Sequence, residues 1–231
     1  MKKISIIFCV LVLYGCTTKQ THYIGEKYLG AKYIINPLGE EKLPDTDPLI
    51  RTDAFDCMTF VETVLADGNI DKLTKIRYKN GDIDFINRNH FVETDWLKNN
   101  ANIVKNVSRN YGKTDIRTVK IDKKSWFKKM YKIDTQFKPE TVDLEYIPYS
   151  TITDIKNDKN LIVLFVTNNP TFIKKTGTDL AITHMGFLLP NGMLRHASRK
   201  QGNVVDTDFN EYIIKRRQNK TNIGIMLLEI K

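Results

Sequence analysis

Phe55-Asp56-Cys57-Met58-Thr59-Phe60-Val61-Glu62 places a cysteine at the entry to an apolar run with helical spacing. Met58, Val61, Val64 and Leu65 recur at intervals of three and four, Phe60 widens the stripe and Gly68 stops it. The spacing predicts a helix with Asp53 or Asp56 as its cap and Cys57 in its first turn. Unpaired backbone N–H groups and the positive end of the helix dipole favour a thiolate there, and they can also hold an oxyanion. Most helical cysteines are small core residues. Cys57 instead falls beside the cap, off the mid-helix apolar stripe.

The other two cysteines lie near the N-terminus, where Lys2 and Lys3 precede an apolar run from Ile4 to Leu13 and then Tyr14-Gly15-Cys16. The run is too short to span a bilayer and reads as an export signal. Its ending resembles the bacterial lipobox, which implies cleavage before Cys16, lipidation of that thiol, and a firm hold on a membrane. An ordinary secretory signal is the alternative, since Tyr14 is bulky for its position. Residues 1–15 are thus expected to be a lipoprotein signal peptide and 16–27 a lipidated tether. With Cys9 discarded, Cys57 is the one free thiol, without a partner for an internal disulfide or a resolving cysteine for redox work.

The chain is 41% hydrophobic with ten tyrosines and eleven phenylalanines. About 215 mature residues can bury a full core, so 28–231 is read as a single domain, expected to be monomeric. The formal charge of +9 falls to +7 when Lys2 and Lys3 leave with the signal. Such an excess suits an anionic partner in the envelope, although a solvated surface explains it equally well. Lysines are interspersed with acids, and Lys123-Lys124 and Lys128-Lys129 are only pairs, which with export argues against nucleic acid.

Asn36 to Thr52, with Pro37, Gly39, Pro44 and Pro48, reads as loop, and Asn69 to Asn110 as mostly helical. Segments 115–121 and 142–147 alternate like strands around a basic helix holding Trp126 and Phe127. Leu161–Val166, Ile182–Leu189, Met193–Ala197 and Ile223–Ile230 read as buried strands. Helices followed by strands predict an α+β fold.

Pro190-Asn191-Gly192 suits a three-residue hairpin loop with Gly192 in the left-handed position. Leu189 then pairs with Met193, Leu188 with Leu194 and Gly186 with His196. That register makes His184 and His196 diagonal neighbours on one face, about 7 Å apart at the backbone. A two-residue loop would set the rings on opposite faces. With Cys57 the pair forms a Cys-His-His relay, His184 taking the thiol proton and His196 fixing its tautomer. Two unrelated strand histidines or a metal site are the alternatives, but nothing resembles Cys-x-x-Cys or His-Glu-x-x-His. No metal or other cofactor is expected.

Asp56-Cys57-Met58-Thr59-Phe60-Val61, Thr183-His184-Met185-Gly186-Phe187 and Arg195-His196-Ala197-Ser198 together resemble the NlpC-type cysteine peptidases, bacterial cell-wall hydrolases with a papain-like core. Arg88-Asn89-His90-Phe91 with Asp95-Trp96, Tyr146-Ile147-Pro148 and Asn222-Ile223-Gly224 are most similar to the amidase-like branch first catalogued as a domain of unknown function. The resemblance implies Cys57 as nucleophile at a helix N-terminus packed on an antiparallel sheet, His184 as base, His196 as orienter, and Tyr33 beside the thiol. Cys57 and His184 are 127 residues apart, more than in compact members. Residues 69–158 are therefore expected to form a mainly helical insertion that caps the cleft. Arg88, His90, Asp95 and Trp96, with Tyr33 and Asp56, are the expected substrate contacts. Against them stand a core tryptophan and a surface ion pair of Arg88 with Asp95.

The implied activity is hydrolysis of a peptidoglycan stem-peptide amide, either the lactyl amide between N-acetylmuramic acid and L-alanine or the D-glutamyl to diamino-acid link. The expected partners are peptidoglycan or muropeptides, and a membrane reached through the N-terminal lipid. The expected location is the periplasm-facing envelope, the outer membrane before the inner. An acyltransferase or amidase acting on lipid or small amides, and a non-catalytic wall-binding lipoprotein, are the competing readings.

Overall fold

The computed structural model describes residues 23–38 and 51–231. The expected signal peptide, Cys16 and the tether up to residue 22 lie outside the described residues, as does 39–50 of the expected loop. Two short strands come first, β1 (Lys32–Tyr33) and β2 (Ala54–Phe55), followed by helices α1 (Cys57–Ala66) and α2 (Ile70–Arg77). A π-helical turn at Val92–Trp96 runs into α3 (Leu97–Asn99), and then come β3 (Val104–Asn106), β4 (Asp115–Ile121), α4 (Lys123–Tyr131) and β5 (Glu140–Pro148). The C-terminal part holds β6 (Leu161–Thr167), α5 (Pro170–Thr176), β7 (Ile182–Leu188), β8 (Met193–Ser198), β9 (Asn203–Asp208), α6 (Phe209–Arg217) and β10 (Asn222–Ile230). Among the described residues no helix is long and apolar enough to cross a membrane.

The strands join in the order β2-β1-β9-β8-β7-β6-β10-β5-β4, with β3 also paired to β10. The sheet is antiparallel except where β1 runs beside β2, so the architecture is α+β as the patterning predicts. β6 is buried along its whole length because both faces of the sheet are covered. Its Ile162, Leu164 and Val166 join one core with Phe60, Met185 and Phe187, while Leu161, Val163 and Phe165 join a second with Phe209 and Ile213 of α6. Alternate residues of one strand thus feed two cores, which explains its unbroken apolar run.

Two expectations need correction. The stretch from Asn69 to Asn110 is helical over α2 and the 92–99 turn, with single 3₁₀ turns at Lys79–Gly81 and Ser108–Asn110. Between them Asn80 and Gly81 take positive φ (57° and 74°), and Asp84 Oδ1 accepts from the N–H of Ile86 at 2.8 Å, local turn bonding that competes with helix. Residues 69–158 are mixed instead of mainly helical, since β4 and β5 extend the main sheet through β10. The close pairing of β5 with β10 depends on Gly224, where a Cβ would fall 2.1 Å from the carbonyl oxygen of Ile147.

Candidate active site

Cys57 is the first residue of α1, and Asp56 is the cap. Asp56 Oδ1 accepts from the Thr59 N–H at 2.8 Å, while the Asp56 N–H donates to Thr59 Oγ1 at 3.0 Å, a reciprocal capping box. Asp53 is outside the helix and pairs with Arg51. Beneath this turn Glu62 and Arg77, both fully buried, form an ion pair at 3.0 Å.

The thiol is half-buried, and the backbone N–H groups of Met185, Cys57 and Met58 point toward it. Burial, with the Asp56 carboxylate beside it, nevertheless pushes the Cys57 thiol up to about 12. The helix N-terminus alone predicts the opposite direction. Its partial positive charge loses here to desolvation and to an adjacent anion.

The contact with Met185 reflects how β7 and β8 separate. Their pairing includes Leu188 with Leu194 and Phe187 with Arg195, and it stops there. Every second residue of an antiparallel pair exchanges backbone hydrogen bonds, so the next such pair is Met185 with Ala197. That pair is not formed, and the Met185 N–H serves the sulfur instead. Cys57 therefore sits one residue along β7 from His184, at the opening between the two strands.

The hairpin register follows the three-residue loop. The Leu189 N–H donates to the Met193 carbonyl at 2.8 Å, and Gly192 has φ 78°. His184 Nε2 and His196 Nδ1 lie 2.7 Å apart, a hydrogen bond between imidazoles. Phe165 stacks on His184 at 5.5 Å between ring centroids. Thr207 Oγ1 is 3.5 Å from His196 Nε2. Burial, then the neighbouring His196 and Arg216, holds His184 well below the usual imidazole range; burial and Arg216 hold His196 down to about 4. Both rings are neutral near pH 7.

Tyr33 is held at the site by β1, with its N–H donating to the Gly202 carbonyl at 2.7 Å and its backbone registered against Phe55. Burial, with Cys57 and Asp56 nearby, raises its phenol to about 12. Arg88 and His90 line a cavity of about 180 Å³ with Asp56, Met58, Trp126 and Tyr131, so it borders the residues on either side of Cys57. Burial lowers the Arg88 guanidinium to about 10; burial and Arg88 lower His90 to about 3. His90 Nε2 donates to the Phe85 carbonyl at 2.7 Å within an aromatic cluster, which fixes its tautomer.

The structure separates Asp95 and Trp96 from this group. Trp96 is fully buried in the core against Glu62, because the π-helical turn aims it inward. Asp95 pairs with Lys123 and lines a second pocket, one that Arg88 also lines but His90, Asp56 and Met58 do not. A larger cleft, about 840 Å³ between β5 and β10, contains none of the expected site residues, although Glu93 and Thr94 of the same turn line it. Among the described residues no group of three His, Cys, Asp or Glu side chains is arranged to hold a metal ion.

Sequence patterning overlooked β9 and α6, which supply Thr207, Tyr212 and Arg216. Tyr212 lies 5.1 Å from His196 and 6.2 Å from His184 between ring centroids. The available signal was Asp208 three residues before Glu211, a cap whose side chain accepts from the Glu211 N–H at 2.8 Å, followed by Phe209 and Ile213 at helical spacing.

No curated protein matches the chain significantly. Among solved structures, LPG0564 from Legionella pneumophila str. Philadelphia 1 superposes with a TM-score of 0.77 at 25% identity, over 90% of this chain and 86% of that one. An N-acetylmuramoyl-L-alanine amidase from Bacteroides uniformis ATCC 8492 superposes with a TM-score of 0.69 at 25% identity, over 90% of this chain and 95% of that one. A family model described as AmiA-like, N-acetylmuramoyl-L-alanine amidase-like, matches residues 23–223. That span takes in the thiol, the imidazole pair and the strands that carry them, and the chain belongs to this AmiA-like, N-acetylmuramoyl-L-alanine amidase-like family.

Proposed function

We propose that this protein is a cell-wall amidase that cleaves the amide between N-acetylmuramic acid and L-alanine with Cys57 as nucleophile. The observation that carries the reading is the 2.7 Å contact of His184 Nε2 with His196 Nδ1, one residue along β7 from the N–H that faces the Cys57 thiol. Family membership favours the lactyl amide over the D-glutamyl link, since the family description and the Bacteroides uniformis neighbour both name that amidase.

In this reading the site rests with a neutral thiol and a neutral imidazole, since burial raises the first and lowers the second. When His184 carries its proton on Nε2 and donates it to His196, its Nδ1 lone pair is left for the thiol. Proton transfer from Cys57 to His184 then accompanies attack on the substrate carbonyl. Thiolate and imidazolium appear together, and each offsets the desolvation penalty of the other. The Cys57 N–H at the helix N-terminus helps to hold the oxyanion. The imidazolium returns its proton to the leaving amine, and water, activated by the same histidine, hydrolyses the thioester. Tyr33, Arg88 and His90 border the cleft as substrate contacts.

Anchoring through a lipidated Cys16 would hold the enzyme at the envelope, with its surplus positive charge toward carboxylate-rich stem peptides. Mass spectrometry of sacculi and defined muropeptides, incubated with the protein and with its Cys57→Ala variant, tests the reading. Stem peptides freed from glycan by the first alone support it. Cleavage after D-glutamate would make the protein an endopeptidase, and identical digests would leave transfer or binding.

A further inference from the structure

Beside the imidazole pair, α6 carries a charged group that the catalytic steps above do not use. Tyr212 and Arg216 are one turn apart on this helix, on the same face. The Arg216 guanidinium lies 4.8 Å from the centre of the Phe165 ring, the ring stacked on His184. Three elements fix it: Nε donates to Tyr149 Oη at 3.3 Å, and Nη2 donates to Asn222 Oδ1 at 3.1 Å and to Thr183 Oγ1 at 3.4 Å. Thr183 immediately precedes His184. All of these acceptors are neutral, so among the described residues Arg216 has no carboxylate partner.

The groups around the two imidazoles are Phe165 from β6, Thr207 and Asp206 from β9, and Tyr212 and Arg216 from α6, with Cys57 of α1 near Tyr212. Asp206 is the one acid in this set, and both its oxygens are bonded to Arg195 at 2.8 and 2.7 Å. The positive charge of Arg216 is thus left without local compensation.

We propose that Arg216 is a positioning residue of the relay: its uncompensated charge beside Phe165 and Thr183 adds to burial in disfavouring a charged imidazole at rest, so that His184 is free to take the thiol proton. The inference rests on His184 being the base. Once His184 is protonated, the same charge makes the imidazolium a stronger acid toward the leaving amine. Tyr212 packs against the guanidinium and against both rings.

The test compares Arg216→Gln and Arg216→Met, two neutral side chains of similar length, with Arg216→Lys as the charge-keeping control. Imidazole NMR titration of His184 and His196 is read beside kcat/KM against pH. In the neutral variants both imidazole midpoints and the acid limb move to higher pH by about half a unit or more, while Arg216→Lys stays near the wild type. Unchanged midpoints in a folded neutral variant, or a Lys variant shifted as far as the others, would overturn the proposal in favour of simple packing. The NMR readout needs no turnover. A midpoint shift in a protein without Cys57-dependent hydrolysis would support the electrostatic effect while overturning the hydrolase reading.

Discussion

A Cβ on Gly186 would lie 2.8 Å from the Cβ of His196 and 2.7 Å from the carbonyl oxygen of Arg195, closer than real side chains approach. Glycine at this one position lets β7 and β8 converge until the imidazoles of His184 and His196 meet. The same convergence precedes the opening at Met185 that admits the thiol. Gly186 is therefore where backbone packing becomes site geometry.

Gly186→Ala is expected to push β8 away from β7, cost on the order of 1–3 kcal/mol of stability, and lower activity more than tenfold in the protein that still folds. Denaturant melts and muropeptide turnover at a temperature where the variant is folded check this. Full activity would mean that the diagonal contact has no part in turnover.

The raised Cys57 thiol has a readout that needs no substrate. Alkylation by iodoacetamide should be slow at neutral pH and rise about tenfold per unit between pH 7 and 9, because the thiolate fraction follows the pH below its midpoint. A rate plateau below pH 7 would instead reveal a resting thiolate–imidazolium pair.

The two histidines should differ in consequence. His184→Ala removes the proposed base and is expected to lower kcat/KM by about 10³-fold or more. His196→Asn keeps a hydrogen-bonding side chain behind His184 and should lose less, about 10–10²-fold. Equal losses would indicate that the rings act as one unit.

Glu93 Oε1 accepts from the N–H of Ile182, at the start of the strand that bears His184, at 2.7 Å. Burial raises its carboxyl from 4.5 to about 7. The folded state therefore holds a proton that the unfolded chain has released, and this contribution is complete below pH 4.5 and fades as pH rises to about 7. It amounts to something on the order of 3 kcal/mol at most. Glu93→Gln preserves the acceptor and should flatten the fall in stability across that window. An unchanged slope in urea melts would show that Glu93 is ionised when folded.

The readings that succeeded rest on interactions within a few residues. A cap at Asp53 or Asp56, which the structure assigns to Asp56, and the three- and four-residue spacing from Met58 to Leu65 specify α1, and Pro190-Asn191-Gly192 specifies the register that brings His184 to His196. The readings that failed concern residues whose surroundings are assembled from distant parts of the chain. Trp96 looked available for substrate beside Asp95, yet a π-helical turn sends it into a core built from several elements. In the 69–110 stretch, turn bonding by Asp84, Asn80 and Gly81 outweighed a weak helical pattern.

What the amino-acid sequence determined by itself is the capped helix that begins at Cys57, the strands, and the histidine register, because each is a local periodicity or a turn preference. Only the tertiary structure decided that the Met185 N–H leaves its ladder for the thiol, that Arg216 stands near the imidazoles with no carboxylate partner among the described residues, and that burial and the Asp56 carboxylate raise the Cys57 thiol. Desolvation and charge depend on every group within several ångströms of a site, however far apart those groups lie along the chain.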